Sequence, residues 1–289
     1  RNKKEGIAII GMSCRFPGAN NPQEFWDLIS TGQSKFSSIP SDRQEKFDFS
    51  SIKTLRGSFL ENPFDFGNTH FKISDSEATS MDPQQRIMLE LALQAKENAL
   101  LSDFTDRNVG VFIGANQRSY LDGIISKSYR KQLLDKIKKL DAFNKVPAKL
   151  KEGLLAELLT LTKDDFYDST TLTGNISNII SGRISHEFNL KGPSLTIDTA
   201  CSSSLVAIHT ACESIYNNEC NLAFAGGINL NLTPTVFSLM EKSGAISLTG
   251  NCIPFSEKSD GILLGEGGGL ILLKRYENAI KDGNPILGL

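Results

Sequence analysis

The stretch from Gly192 to Leu205, GPSLTIDTACSSSL, carries an extended apolar strand into a tight turn of small residues. Leu205, Val206, Ile208, His209, Cys212 and Ile215 then continue as a helix. Cys201 therefore falls at a strand-to-helix turn, near the positive end of a helix dipole. Such a position favours thiolate over thiol, and the thiolate is the nucleophile. Ala200, Ser202 and Ser203 are small enough for a substrate backbone to approach, and the Cys201 N–H is placed to help bind an oxyanion. The competing reading is one more buried small hydrophobe, the commoner fate of a cysteine. Spacing alone leaves both open.

Cys14, Cys212, Cys220 and Cys252 lack that setting: Cys212 reads as a core residue of the same helix, and Cys220 precedes a strand. Five cysteines, odd in number and without a C-x-x-C pair, argue against a disulfide scaffold or zinc ribbon and for a reducing cytoplasm. Three histidines (His70, His186 and His209) are too few for a His-rich metal centre. The 289 residues carry 31 Lys+Arg against 33 Asp+Glu, a formal net charge of −2. That near-neutral balance leaves no electrostatic footprint for nucleic acid. With 39% hydrophobic and 22% charged residues the chain can bury a core and stay soluble. No run approaches the ~18–20 apolar residues of a membrane-spanning helix, and no secretory h-region follows Arg1. The absence of an initiator Met leads us to expect a piece excised from something longer.

These residues need a scaffold, and the pattern supplies an α/β one. Apolar runs at Ile7–Ile10, Val109–Ile113, Leu195–Asp198, Asn221–Ala225 and Leu270–Leu273 read as buried strands. Asp82 can cap a helix opened by Pro83, with Leu89, Ala92, Leu93 and Ala95 on its apolar face. Further helices are predicted after Ser202 and over Asn175–Ile184. From about residue 117 to 172 the chain makes an excursion, with nine Lys/Arg against three acids between Lys127 and Glu152. Leu133, Leu134, Ile137 and Leu140, then Leu150, Leu154, Leu155, Leu158 and Leu159, predict two amphipathic surface helices. A solvated helical face is the plainer reading, and a basic patch for an acidic partner is the sharper one.

Asp198–Leu205 resembles the active-site motif of the β-ketoacyl synthase (ketosynthase) domains of modular type I polyketide synthases. Ile7–Gly18 (IAIIGMSCRFPG), Glu24–Ile29, Met81–Arg86, Gly174–Ser185 and, later, Phe255–Gly261 with Gly265–Gly267 resemble other segments of the same domains. The likeness spans nearly the whole chain except the Lys-rich excursion. It implies a thiolase-like layered α/β/α/β/α fold of two similar halves. Here the fold is expected incomplete: residues 1–250 as the nucleophile-bearing half and 251–289 as the start of the second. Ile286–Leu289 reads as the beginning of a strand, and hence as a truncation. The resemblance also implies a homodimer, joined to the remainder of a synthase polypeptide.

It further implies Cys201 as the acceptor of an acyl chain from the phosphopantetheine arm of an acyl carrier protein, with no cofactor bound directly. Decarboxylation of a malonyl-type unit would then supply the carbanion for a Claisen condensation. Cys rather than Gln at position 201 favours condensation over decarboxylative loading. Phe237 falls where the family places an aromatic residue near the acyl pocket. The family's chemistry also requires two histidines and a lysine, and no HGT sequence occurs here. His209 is expected as a packed residue of the nucleophile's helix, His186 at a helix end and His70 in a loop. The chain alone is therefore expected to be inactive, and an inactive relic or carrier-protein interaction module is the alternative. A nucleotide site is excluded: Gly265–Gly269 leads into a strand instead of opening a helix.

Overall fold

A computed structural model describes residues 6–54, 56–116, 120, 133–160 and 169–289. Its centre is a five-stranded sheet in the order β1-β8-β6-β4-β5. The strands are β1 (Ile7–Arg15), β4 (Val109–Ala115), β5 (Ser194–Ile197), β6 (Leu222–Asn229) and β8 (Gly267–Arg275). β4 runs parallel to both β5 and β6, whereas β8 runs antiparallel to β6 and to β1. A small second sheet joins β2 (Ser37–Ser38), β3 (Arg56–Ser58) and β7 (Leu264–Gly265).

Alternation along each strand divides the core into two layers. Val111, Ile113, Phe224, Leu270 and Leu272 point to one side, packed with Ile87, Met88 and Leu91 of α4 (Pro83–Asn98) and Ile180 and Ile184 of α8 (Ile179–Glu187). Phe112, Ala223, Ala225 and Leu273 point to the other, against Ala207, Ala211 and Ile215 of α9 (Ser203–Tyr216). Asp82 caps α4 as expected, its Oδ1 accepting from the Gln84 N–H at 2.8 Å.

Two expectations need revision, the helix over 175–184 and the seating of the excursion. The helix expected over 175–184 is broken: α7 (Thr171–Asn175) ends at the extended Ile176, and α8 starts at Ile179. The Asn175 amide donates to the carbonyls of Thr171 and Ser80, fixing that break. Gly226, Gly227 and Gly267–Gly269 lie within paired strands, and a side chain at Gly226 would meet the Gly269 carbonyl of the neighbouring strand. Residues 251–289 contribute to the first sheet: β8 sits between β1 and β6, and the Leu287 N–H bonds the Ile9 carbonyl at 2.8 Å. Finally, the excursion is only lightly seated. Residues 133–137, α5 (Asp141–Asn144) and α6 (Ala148–Thr160) are helical, with Leu134 and Phe143 buried but Leu133, Leu140, Leu150 and Leu154 exposed. Lys127, the side chain of Leu159 and parts of both ends of the excursion lie outside the described residues.

Candidate active site

Cys201 sits in a single 3-10 turn, Ala200–Ser202, between β5 and α9, and its side chain is exposed. Ala200 adopts φ +56°, a left-handed conformation that costs a side-chain-bearing residue and persists only where its surroundings hold it. The holding bonds are local. The Ala200 N–H donates to Asp198 Oδ1 at 3.0 Å, and the Thr199 N–H donates to Ser203 Oγ at 2.9 Å. Ser203 Oγ in turn donates to the Ala200 carbonyl at 2.7 Å, and Ser202 Oγ to the Thr199 carbonyl at 2.8 Å. None of these bonds takes up the Cys201 N–H.

The first turn of α9 is pressed onto the sheet where β4 and β6 carry glycine. A Cβ at Gly114 would lie 2.6 Å from backbone atoms of Ser203 and Ser204, and one at Gly227 would lie 2.9 Å from Ser204 Cβ. Side chains there would lift the helix, and the Cys201 turn with it. Thus the small residues of the motif and two glycines from distant strands jointly set where the sulfur stands.

Cys201 opens into a cleft of about 1080 Å³, lined with Ala225, Ile208, Met12, Cys14, Trp26 and Leu239 among others. That volume exceeds the roughly 300–1,000 Å³ of most small-molecule pockets. Its floor includes Met12 and Cys14 of β1, Ala225 of β6 and Ile271 of β8. One rim is α1 (Pro22–Ser30), a helix with no buried residue, whose Trp26 is 62% and Ile29 55% exposed. Another is α10 (Pro234–Lys242), which presents Thr235, Val236, Leu239 and Met240. Phe237 faces the opposite way: it is fully buried, with ring centroids 5.9 Å from Phe49 and 6.2 Å from Phe59.

The other thiols differ in kind. Burial, with a contribution from Glu24, pushes the Cys14 thiol up to about 11. Burial likewise raises Cys212 and Cys220. Cys252 is exposed but stands apart from the cleft lining. No histidine is among the cleft-lining residues. His209, expected to be packed, is exposed on the outer face of α9, because the helix turns Ala207 and Ala211 to the sheet. His186 is exposed at the end of α8, and exposed His70 lies edge-on to Phe71 at 5.1 Å. Sequence reasoning missed the cleft walls, since Trp26 and Leu239 are ordinary amphipathic-helix residues until the fold turns them toward Cys201.

The sheet, its two helical layers and the cysteine turn define a thiolase-like α/β protein. Residues 4–279 match the model of the β-ketoacyl synthase N-terminal domain. The chain belongs to that family, as the N-terminal portion of a ketosynthase domain of polyketide-synthase type. It is 37% identical over 290 residues to the citrinin polyketide synthase of Monascus ruber, covering 99% of this chain and 10% of that protein. Polyketide synthase GfsA of Streptomyces halstedii is likewise 37% identical, over 99% of this chain and 4% of its own length. Among solved structures, the ketosynthase from module 6 of the bacillaene synthase of Bacillus subtilis 168 superposes with a TM-score of 0.73 at 32% identity, over 97% of this chain and 41% of that one. The oxazolomycin ketosynthase domain OzmH KS7 of Streptomyces albus JA3453 gives 0.76 at 28%, over 98% and 44%. The chain thus spans a tenth or less of these curated synthases and under half of the solved ketosynthases. No helix among the described residues is long and apolar enough to cross a membrane.

Proposed function

We propose that this chain carries the nucleophile of a decarboxylative Claisen condensation in polyketide, or related fatty acid, biosynthesis. The Cys201 sulfur attacks the thioester carbonyl of an acyl chain on the phosphopantetheine arm of an acyl carrier protein. The phosphopantetheine thiolate leaves and takes up the proton that Cys201 gave. A malonyl-type unit on carrier protein then loses CO2, and the resulting carbanion attacks the Cys201 thioester carbonyl. Cys201 departs as thiolate, leaving a β-ketoacyl chain two carbons longer on the carrier. An N–H from the Cys201 turn holds the developing oxyanion during each attack.

The observation that carries this reading is the exposed Cys201 on the strained Ala200 turn, ahead of α9 and open to an apolar cleft. Histidines and a lysine from the remainder of the synthase polypeptide complete the site and cover part of that cleft. Phe237 serves the acyl pocket from behind, by supporting α10. A homodimer is supported by β5, which forms one edge of the sheet and exposes Ser194 and Leu195. Free cysteines throughout the described residues agree with a reducing, cytoplasmic setting.

The test is acyl loading. Incubated with a short acyl thioester and digested, the protein is expected to carry the acyl mass on the Cys201 peptide, and Cys201→Ala to carry none. Loading on another residue, or no loading with a complete synthase, favours instead an inactive relic that keeps only carrier-protein contacts.

A further inference from the structure

Arg43 and Glu266 form an ion pair with both side chains wholly buried, Nη2 to Oε2 at 2.9 Å. Arg43 Nη2 also donates to the Leu60 carbonyl at 3.2 Å, Nη1 pairs with Asp42, and the guanidinium lies 5.2 Å from the Phe64 ring centroid. Glu266 accepts two backbone N–H groups besides: Leu60 at 2.8 Å on Oε2 and Asn231 at 3.1 Å on Oε1. Arg43 Nε is buried with no partner among the described residues.

Two desolvated charges and an orphaned donor make a poor device for stability, since an apolar pair of equal volume does as well or better. The geometry gives them another use. Glu266 stands at the head of β8, and Asn231 lies just before α10, whose inner face walls the cleft beside Cys201. Leu60 follows Phe59 directly in the chain, and Phe59 and Phe49 are the two rings against Phe237 on the back of α10. One carboxylate therefore holds both the segment that leads into α10 and the backbone next to Phe59 behind it.

We infer that the Arg43–Glu266 pair is a positioning device for the α10 wall, and that this wall selects acyl chains by length. The inference rests on the reading that the cleft takes the chain carried by Cys201. Neither residue touches the reacting atoms; both act through Val236, Leu239 and Met240.

A ladder of alkyl methanethiosulfonates (methyl, butyl, octyl) tests this without requiring condensation. The Cys201 thiolate attacks the sulfenyl sulfur, forming a mixed disulfide and expelling methanesulfinate, and peptide mapping reads the rate at that residue. Arg43→Lys keeps the charge but loses the fork. Arg43→Met with Glu266→Gln removes both charges together and guards against a variant that fails to fold. In the full-length polypeptide, each folded variant is expected to change the octyl-to-methyl rate ratio at least about fivefold. The methyl rate should stay within about twofold, because the Cys201 turn is untouched. An unchanged ratio in either folded variant overturns the inference, as does a parallel fall of all three rates, which marks general loosening. Failure of the proposed function reads differently: acyl thioesters then leave Cys201 unloaded while the ladder still reports the wall.

Discussion

Chemical identity singles out Cys201 only in combination with its backbone. Five thiols share one side-chain type, yet burial holds Cys14, Cys212 and Cys220 above the ordinary thiol value, so little of each is thiolate near neutrality. Limiting iodoacetamide near neutral pH is expected to alkylate Cys201 first, with Cys14 and Cys220 unlabelled until the protein unfolds. Stronger labelling at Cys14 or Cys252 in a mass-spectrometric map contradicts this. The motif itself was legible, because a run of small residues after an apolar strand is unusual and its reason is local. The roles of Trp26, Leu239 and Glu266 were not. Each acquires its meaning from partners far away in the chain, and nothing in its own neighbourhood marks it.

Among the elements, α9 depends on glycines it does not contain. Gly114→Ala is expected to lose about 1–3 kcal/mol in denaturant unfolding, since the atoms it meets are backbone and cannot rotate away. It should also slow acyl loading, because the same displacement moves Cys201. A loss no greater than that of a surface alanine substitution would count against this close approach. The loop between Ser247 and Asp260 depends on one carboxylate. Asp260 accepts from Ser247 Oγ at 2.6 Å and from the Thr249 N–H at 3.0 Å, and these bonds hold it below its ordinary value near 3.8. A lowered carboxylate stabilises fully above its unfolded value and loses that contribution as pH falls through the folded one. Limited proteolysis at Phe255, exposed at the loop's tip, should therefore quicken as pH falls below about 5 and through the lowered Asp260 value, and Asp260→Asn should flatten that dependence. A rate equally pH-dependent in the variant contradicts the assignment.

At the scale of the molecule, the cleft beside Cys201 is edged by apolar side chains. Exposed Trp26, Ile29 and Leu239 rim it, an amount of apolar surface that favours association with something else. With no histidine among its lining residues, this chain alone is expected to yield no β-ketoacyl product from acyl- and malonyl-carrier protein. Product above the level of the Cys201→Ala control would refute that. Acyl loading needs only the nucleophile and the cleft, so loading without condensation is the expected signature.

Family, the cysteine turn and α/β layering were readable in the amino-acid order, because each rests on short-range patterns: apolar runs of strand length, a capped helix, a small-residue turn. Pairing across the sheet was not readable. Nor were the tertiary contacts that carry the Asn175 amide to the Ser80 carbonyl at the end of α7 and pack Phe237 on Phe49 and Phe59 while Leu239 lines the cleft. Those outcomes depend on which distant surfaces bury one another, and no stretch of chain contains that information locally. The Cys201 turn could be picked out from its neighbours; what surrounds its sulfur was decided by strands and helices elsewhere in the chain, from β1 and α1 to α10 and β8.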